Sequence, residues 1–378
     1  MPKERIFIPA GDFGDIIHEV AQQYGGYVNA HAHLDRSGTL NPCYLEHYGI
    51  TPLEASHATL KEKQNLTGEL HVGKAYQIDD LKSRIGRYVE EAATLGSKEI
   101  VSFIDATPDV GFRAIDAAES IRATYETGIA MRLIAHPIFG FKFQERWDHF
   151  VEACKRVHAV GALPEKDDRP DSIGFREHLV SVLQLGISLS KEVHVHVDQE
   201  NHPLQEHTFK VFKALYGLKG PVIENHEGPT VWLIHVISPS AYSENRFSEI
   251  LEGLKEYNIG VVCCPRAAVS MRQLRSVRGP IHNSIARILE MILYDIPVRI
   301  GTDNIADMFV PTGSTSMLNE LLFLADAIRF YDPIILAKLG AGVAFNETDK
   351  ETIRRHLREE QKVLKAEDSS FKFCVPLD

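Results

Sequence analysis

Eight short runs of aliphatic and β-branched residues recur along the chain, each divided from the next by a longer amphipathic stretch. They are Tyr27 to His33, Ile100 to Ala106, Ala130 to Pro137, Ala159 to Leu163, Glu192 to Val197, Val231 to Ile237, Ile259 to Cys264 and Pro297 to Gly301. Such runs read as strands buried on both faces. Between them, apolar residues return at three- and four-residue steps, as in Leu81, Ile85, Tyr88, Val89 and Ala92. The same period marks Ile115 to Tyr125, Leu179 to Ile187, Phe209 to Leu215, Phe247 to Leu254 and Ile285 to Ile292, which predicts helices. Gly96, Gly128, Gly186, Gly217 and Asn258 fall just ahead of the following strands and read as helix stops.

Parallel strands need crossovers, and crossovers are usually helical, so this alternation predicts a (β/α)₈ TIM-like barrel. A doubly wound open sheet is the competing fold. It is disfavoured because no glycine fingerprint follows the first strand and the polar residues of interest lie at several strand ends. The 378 residues read as one domain, 1–378, with the barrel core over about 27–346 and helices over about 333–366 closing its outside. Between Ser37 and Gln77 the chain reads as irregular, with one helix around Leu53 to Lys63, a natural lid over a barrel mouth.

Composition excludes several partners. The net charge of −11 repels a nucleic-acid backbone, and the densest basic run, Arg354 to Arg358, is followed at once by Glu359 and Glu360, as on a solvated helix face. Five scattered cysteines, Cys43, Cys154, Cys263, Cys264 and Cys374, form no disulfide framework or CxxC knuckle. Met1 to Arg5 leads into no long apolar region, and no stretch approaches the roughly 18 apolar residues of a membrane helix. A reducing, cytoplasmic location is the expectation.

His31-Ala32-His33 ends the first strand, and residues two apart on a strand share a face. The fifth run, Val193 to Val197, places His194, His196 and then Asp198 on one face by the same alternation. His235 ends the sixth run, and Gly301-Thr302-Asp303-Asn304 ends the eighth. Barrel enzymes build their active sites at the carboxyl ends of strands. Several imidazoles and a carboxylate gathered there predict a metal site.

With HAHLDRS at 31–37 and GTDNIADMF at 301–309, the chain resembles the amidohydrolase superfamily, and within it the mononuclear branch around cytosine deaminase. The resemblance spans the barrel core. The accessory β-sandwich of many superfamily members is not evident, since about two dozen residues precede the first strand. It implies that His31, His33, His196 and Asp303 hold one divalent ion, zinc or iron. It further implies that Asp303 takes the proton of the attacking water and that His235 assists. The implied activity is hydrolysis of a C–N bond in a small nitrogen heterocycle (a pyrimidine, purine, pterin or triazine), releasing ammonia or an amine. The implied partner is that small molecule, with no nucleic acid and no membrane; assembly into a homo-oligomer stays open.

The chain departs from the family at two places. Deaminases of this branch carry a glutamate three residues after the strand-five histidine, where this chain has Gln199. An amide cannot relay protons as a carboxyl does, so Glu200 and His202 join Gln199 as candidates for handling the ring nitrogen. The glutamine that reads cytosine after the third strand aligns with Ile138, which argues against cytosine itself. Arg36 stands where some relatives acting on triazine rings have lysine; it suits an anionic or carbonyl-rich substrate, or an ion pair with Asp35 or a loop carboxylate. Phe309 suits stacking on a planar ring or an apolar lid contact. His194 reads as a barrel-interior histidine, His226 as a loop residue, and His136 receives no assignment. Two alternatives remain. One is a two-metal cyclic amide (lactam) hydrolase using Glu165 or Lys166 after the fourth strand; the other is a non-catalytic heterocycle-binding protein on the same barrel.

Overall fold

The computed structural model describes residues 11–125, 128–200, 202–218, 223, 226–271 and 284–377. Met1 to Arg5 and Asn225 lie outside them. All eight expected strands form: β1 (Tyr27–Ala32), β2 (Ser97–Asp105), β3 (Ala130–His136), β4 (Ala159–Ala162), β5 (Val193–Val197), β6 (Val231–His235), β7 (Ile259–Cys263) and β8 (Val298–Ile300). They pair in sequence order, each parallel to the next. A parallel bridge between Ala32 and Asp303 joins the ends and closes the barrel.

Two apolar clusters explain why the strands read as continuous hydrophobic runs. A small one fills the barrel with alternate strand residues, among them Val28, Val101, Phe103, Ile134, Trp232 and Val262. A larger one lies between the outward faces of the strands and the surrounding helices. Both faces of each strand are therefore dry, as in other parallel barrels.

The closing seam is specific. The Asn29 side chain donates to Thr302 Oγ1 at 2.8 Å and accepts from the Thr302 N–H at 3.0 Å. The Asp303 N–H donates to the His31 carbonyl at 2.9 Å. Gly301 is required here, because a Cβ at that position would lie 2.6 Å from His31 Cβ and 2.8 Å from its backbone N and O. This seam places the end of β8 beside the end of β1.

Several expectations need correction. The segment 37–77 is mostly helical, not irregular: Pro42–Leu45, Pro52–His57 and Leu60–Val72 are helices, and a 3₁₀ turn spans Lys74–Tyr76. The single expected helix is thus two, broken at Ala58, whose backbone is extended. Thr51 with Glu54 and Thr59 with Glu62 form capping boxes at the two starts. Helices at Phe13–Gln23, Gln144–Arg156 and Met317–Ile328 add to those expected. Gly186 and Gly217 lie inside helices, which end at Leu189 and Leu218. Gly96 and Asn258 do carry the positive φ of a helix stop. The closing helices are Pro333–Ala341 and Glu347–Glu367, the latter bearing Arg354 and Arg358 in ion pairs with Glu347 and Glu351. Among the described residues, no helix is long and apolar enough to cross a membrane.

Candidate metal centre

Strand alternation carries His196 inward but does not by itself do so for His31 and His235. Ala30 already faces the barrel interior, so His31 should point out. Between Asn29 and Ala32, however, β1 gains one residue against β2, and this bulge turns His31 toward the axis. Ile234 likewise faces inward, and His235 follows it into the barrel only because its φ is +80°. Val236 (φ +50°) and Asp303 (φ +59°) are left-handed as well. Such residues cost on the order of 1–3 kcal/mol each and cluster where side chains must be aimed.

The expected ligands then meet. Asp303 Oδ1 accepts from His31 Nε2 at 3.1 Å and lies 3.3 Å from His33 Nε2. The rings of His31 and His196 lie 5.0 Å apart, and those of His196 and His235 5.4 Å. The donor atoms of His31, His33 and Asp303 all fall within 4.8 Å of one another, as do those of His31, His196 and His235. Phe103 forms the floor, with its ring 4.7 Å from His31 and 4.8 Å from His196.

Burial sets the protonation states. It pushes His33 and His196 well below the ordinary imidazole range, and His235 down to about 4. Neutral rings keep a lone pair for a cation. His196 Nδ1 faces the Ala162 carbonyl at 3.3 Å, which directs its Nε2 lone pair toward the cluster. For Asp303, burial alone would favour the neutral acid, but hydrogen bonds from His31 and His33 outweigh it and hold the carboxyl well below its usual range. Buried neutral imidazoles with one carboxylate suit a borderline divalent ion such as zinc or iron. Arg36 donates to His33 Nδ1, the atom on which a metal-bound imidazole carries its proton. Ligation through His33 therefore requires Arg36 to release this contact; Asp105 Oδ2, 3.9 Å from Arg36 Nε, is its alternative partner.

A cavity of about 330 Å³ opens above the cluster. Arg36, Ile138, Phe309 and Gln199 line it, and the Arg36 guanidinium sits 5.1 Å over the Phe309 ring. Glu200 does not line it: that side chain is exposed, and its backbone N–H donates to Gln205. The His202 Nδ1 accepts from the Leu204 N–H instead of facing the cavity. Asp198 departs from the expected alternation through φ +51°, and its carboxylate accepts from the His207 and Thr208 N–H groups at the start of the next helix. His194 is buried in the barrel interior near Trp232, as expected.

Sequence reasoning missed Asp105, Tyr76 and His71 behind the cavity and left His136 unassigned. Asp105, at the end of β2, accepts from His136 Nδ1 at 2.8 Å, Tyr76 at 2.9 Å and His71 Nε2 at 3.1 Å. Burial opposes its charge, but Arg36 and the two histidines hold Asp105 well below the usual carboxylate range. Glu165 accepts from Gln199 Nε2 at 2.5 Å. Burial and the nearby charge of Glu200 push Glu165 up to about 7. Lys166 donates to Gln64 at 2.8 Å. Glu165 does not belong to the histidine–aspartate cluster, and the Lys166 ammonium turns to Gln64.

Known structures share this architecture. A 5-methylcytosine deaminase from Klebsiella pneumoniae superposes with a TM-score of 0.68 at 18% identity, covering 88% of this chain and 82% of the other. An N-isopropylammelide isopropylaminohydrolase from Burkholderia multivorans gives 0.62 at 16%, with the same coverage. Arabidopsis ADAL, complexed with GMP, gives 0.56 at 15% and covers 90% of this chain and 98% of its own. At these identities the likeness establishes the fold, the (β/α)₈ barrel expected from the sequence. A Haemophilus influenzae protein described as uncharacterized is 27% identical over 282 residues, 74% of this chain and 95% of its own. No protein-family model matches the chain.

Proposed function

We propose that the chain is a metal-dependent hydrolase of the amidohydrolase superfamily, in its mononuclear cytosine-deaminase-like branch. Its reaction is hydrolysis of a C–N bond in a small nitrogen heterocycle (pyrimidine, purine, pterin or triazine), with release of ammonia or an amine. One observation carries this reading: the buried donors of His31, His33, His196, His235 and Asp303 converge at the carboxyl ends of four strands, beneath one cavity. The fold likeness to deaminases and aminohydrolases supports it.

His31, His33, His196 and Asp303 would hold one divalent ion, zinc or iron, which when bound lowers the pKa of water toward neutrality. Asp303, anionic at neutral pH, accepts a proton from the attacking water. His235, neutral there, orients the attacking oxygen by hydrogen bonding. The new C–O bond forms at the ring carbon, the C–N bond breaks, and the amine leaves with the transferred proton. Phe309 and Ile138 supply apolar walls for a planar ring, and Arg36 caps the Phe309 face. The five cysteines are free, in keeping with a reducing, cytoplasmic setting.

A panel of amino-substituted pyrimidines, purines, pterins and triazines, assayed for ammonia or amine release, tests the reading. Turnover of at least one ring is expected, falling by orders of magnitude in Asp303→Asn. Turnover that this substitution leaves undiminished would overturn the assigned role.

A further inference from the structure

A second crevice, of about 320 Å³, opens at the amino-terminal end of the barrel, and none of its lining residues lines the cavity above the metal centre. Trp232 and Arg299 line it. Both face the barrel axis: Trp232 belongs to the interior cluster, and Arg299 alternates with Val298 and Ile300, which pack outward. In the strand register Trp232 lies beside His194, one inward step below the level of His196 and Ile234. The rings of His194 and Phe103, 6.1 Å apart, thus separate the crevice from the metal centre.

Both side chains carry N–H groups that the fold leaves unused. The Arg299 guanidinium lies 4.3 Å from the centre of the Trp232 ring, and among the described residues it has no carboxylate at ion-pair distance. Glu192 and Glu99 act on it only from further away, and burial outweighs them in lowering its proton affinity. Glu192 is engaged elsewhere: Oε2 accepts from Arg132 at 3.0 Å and lies 3.3 Å from His194 Nε2, and Oε1 faces His226 at 3.9 Å. The Trp232 indole is buried over Gly260, where a Cβ would fall 2.4 Å from Cε3 and Cζ3. Its Nε1, on the five-membered ring, is buried and finds no acceptor among the described residues. An unmatched buried donor and a guanidinium withdrawn from water both gain from an incoming acceptor.

We propose that this crevice is a second ligand site, which takes a small organic carboxylate between the Arg299 guanidinium and the Trp232 indole N–H. A planar carboxylate matches the guanidinium fork with two parallel N–H···O bonds and keeps a further lone pair for the indole. Charge on the walls selects a monoanion. Glu192, Glu227 and Asp295 line the same crevice, so a dianion meets more repulsion there than a single carboxylate does. Lys350, another cation of the walls, is taken by Asp295 and Glu347. The volume leaves room for a carbon skeleton behind the carboxylate. This site is separate from the proposed heterocycle hydrolysis and does not depend on it.

The indole N–H resonance of Trp232 in NMR spectra tests this without any assay of turnover. The chain has two tryptophans, and Trp147→Phe identifies which resonance belongs to Trp232. Titration of the metal-loaded chain with acetate, at constant ionic strength, is expected to shift that resonance saturably and leave the Trp147 resonance in place. Inorganic phosphate is expected to bind about 10-fold more weakly or worse, because of the acidic walls. Arg299→Met keeps an apolar stem over the indole and removes the fork. Ala344→Glu adds a carboxylate at an exposed position on the crevice wall, in the loop between two helices. Each variant is expected to weaken acetate by about 10-fold or more, the scale of a lost hydrogen bond to a charged group. No saturable shift with acetate, phosphate binding as tight as acetate, or unchanged acetate affinity in both variants would overturn the proposal.

Discussion

The carboxylate of Asp303 lies 3.1 Å from Nε2 of His31, across the seam where the end of β8 meets the end of β1. The two residues are 272 positions apart, and their meeting depends on barrel closure. Gly301 packs directly against His31 in that seam.

Gly301→Ala is expected to force His31 and Asp303 apart, since the added carbon would lie 2.6 Å from His31 Cβ and against its backbone. Overpacking of this kind costs about 1–3 kcal/mol. Chelator competition should show weaker metal binding together with a lower denaturation midpoint. Unchanged metal affinity would show that the seam relaxes without disturbing the ligands.

Phe103→Ala removes the floor shared by His31, His33, His136 and His196. A buried phenylalanine truncated to alanine destabilises by about 3–5 kcal/mol. Urea unfolding should show a loss of that size. A loss under about 1 kcal/mol would mean the cavity is filled by rearrangement and would remove Phe103 as a support of the centre.

Protonation of the buried histidines should cost the metal-free chain stability. Burial pushes His136 and His235 down from 6.5 to about 4. A folded-state pKa below the unfolded one means that the unfolded chain binds protons first. The stability contributed by these two rings is therefore full above about pH 6.5 and falls as pH drops toward 4, by about 1.4 kcal/mol per unit of pKa difference. Glu165, pushed up to about 7, acts in the opposite sense, so the histidine contribution is read by difference. Melting curves of His136→Gln between about pH 7.5 and 4.5 should fall less steeply than those of the parent chain, and identical slopes would mean that the ring is solvated.

Asp303→Asn keeps the size of the side chain but removes its charge and basicity. Turnover is expected to fall about 10²–10⁴-fold, the usual contribution of a positioned acid–base group. Bound metal, measured alongside, should fall as well because a carboxylate ligand is lost. Retained metal with full turnover would exclude Asp303 from both roles.

The strands were legible because both of their faces are dry, which leaves uninterrupted β-branched runs such as Val193 to Val197. His31, His33, His196, His235 and Asp303 were legible as histidines and a carboxylate at run ends. Their convergence, however, depends on a bulge in β1 and on positive φ at His235 and Asp303, which no periodicity reveals. The lid helices were obscured because Leu60–Val72 buries the polar residues Gln64, Thr67 and His71 beside Leu70 and so lacks an apolar stripe. Only the Thr51–Glu54 and Thr59–Glu62 capping boxes signalled them. The Gln199–Glu165 and His136–Asp105 pairs join positions 34 and 31 residues apart, and only the folded barrel brings them together.

Metal stoichiometry coupled to turnover is the most direct test of the central claim. The chain is stripped with a chelator, then titrated with zinc and, separately, iron, while ammonia or amine release from the best ring of the panel is followed. The predicted result is no turnover in the stripped chain and a linear rise to a plateau at one ion per chain. A plateau reached only at two ions, or turnover that stripping leaves unchanged, would contradict it.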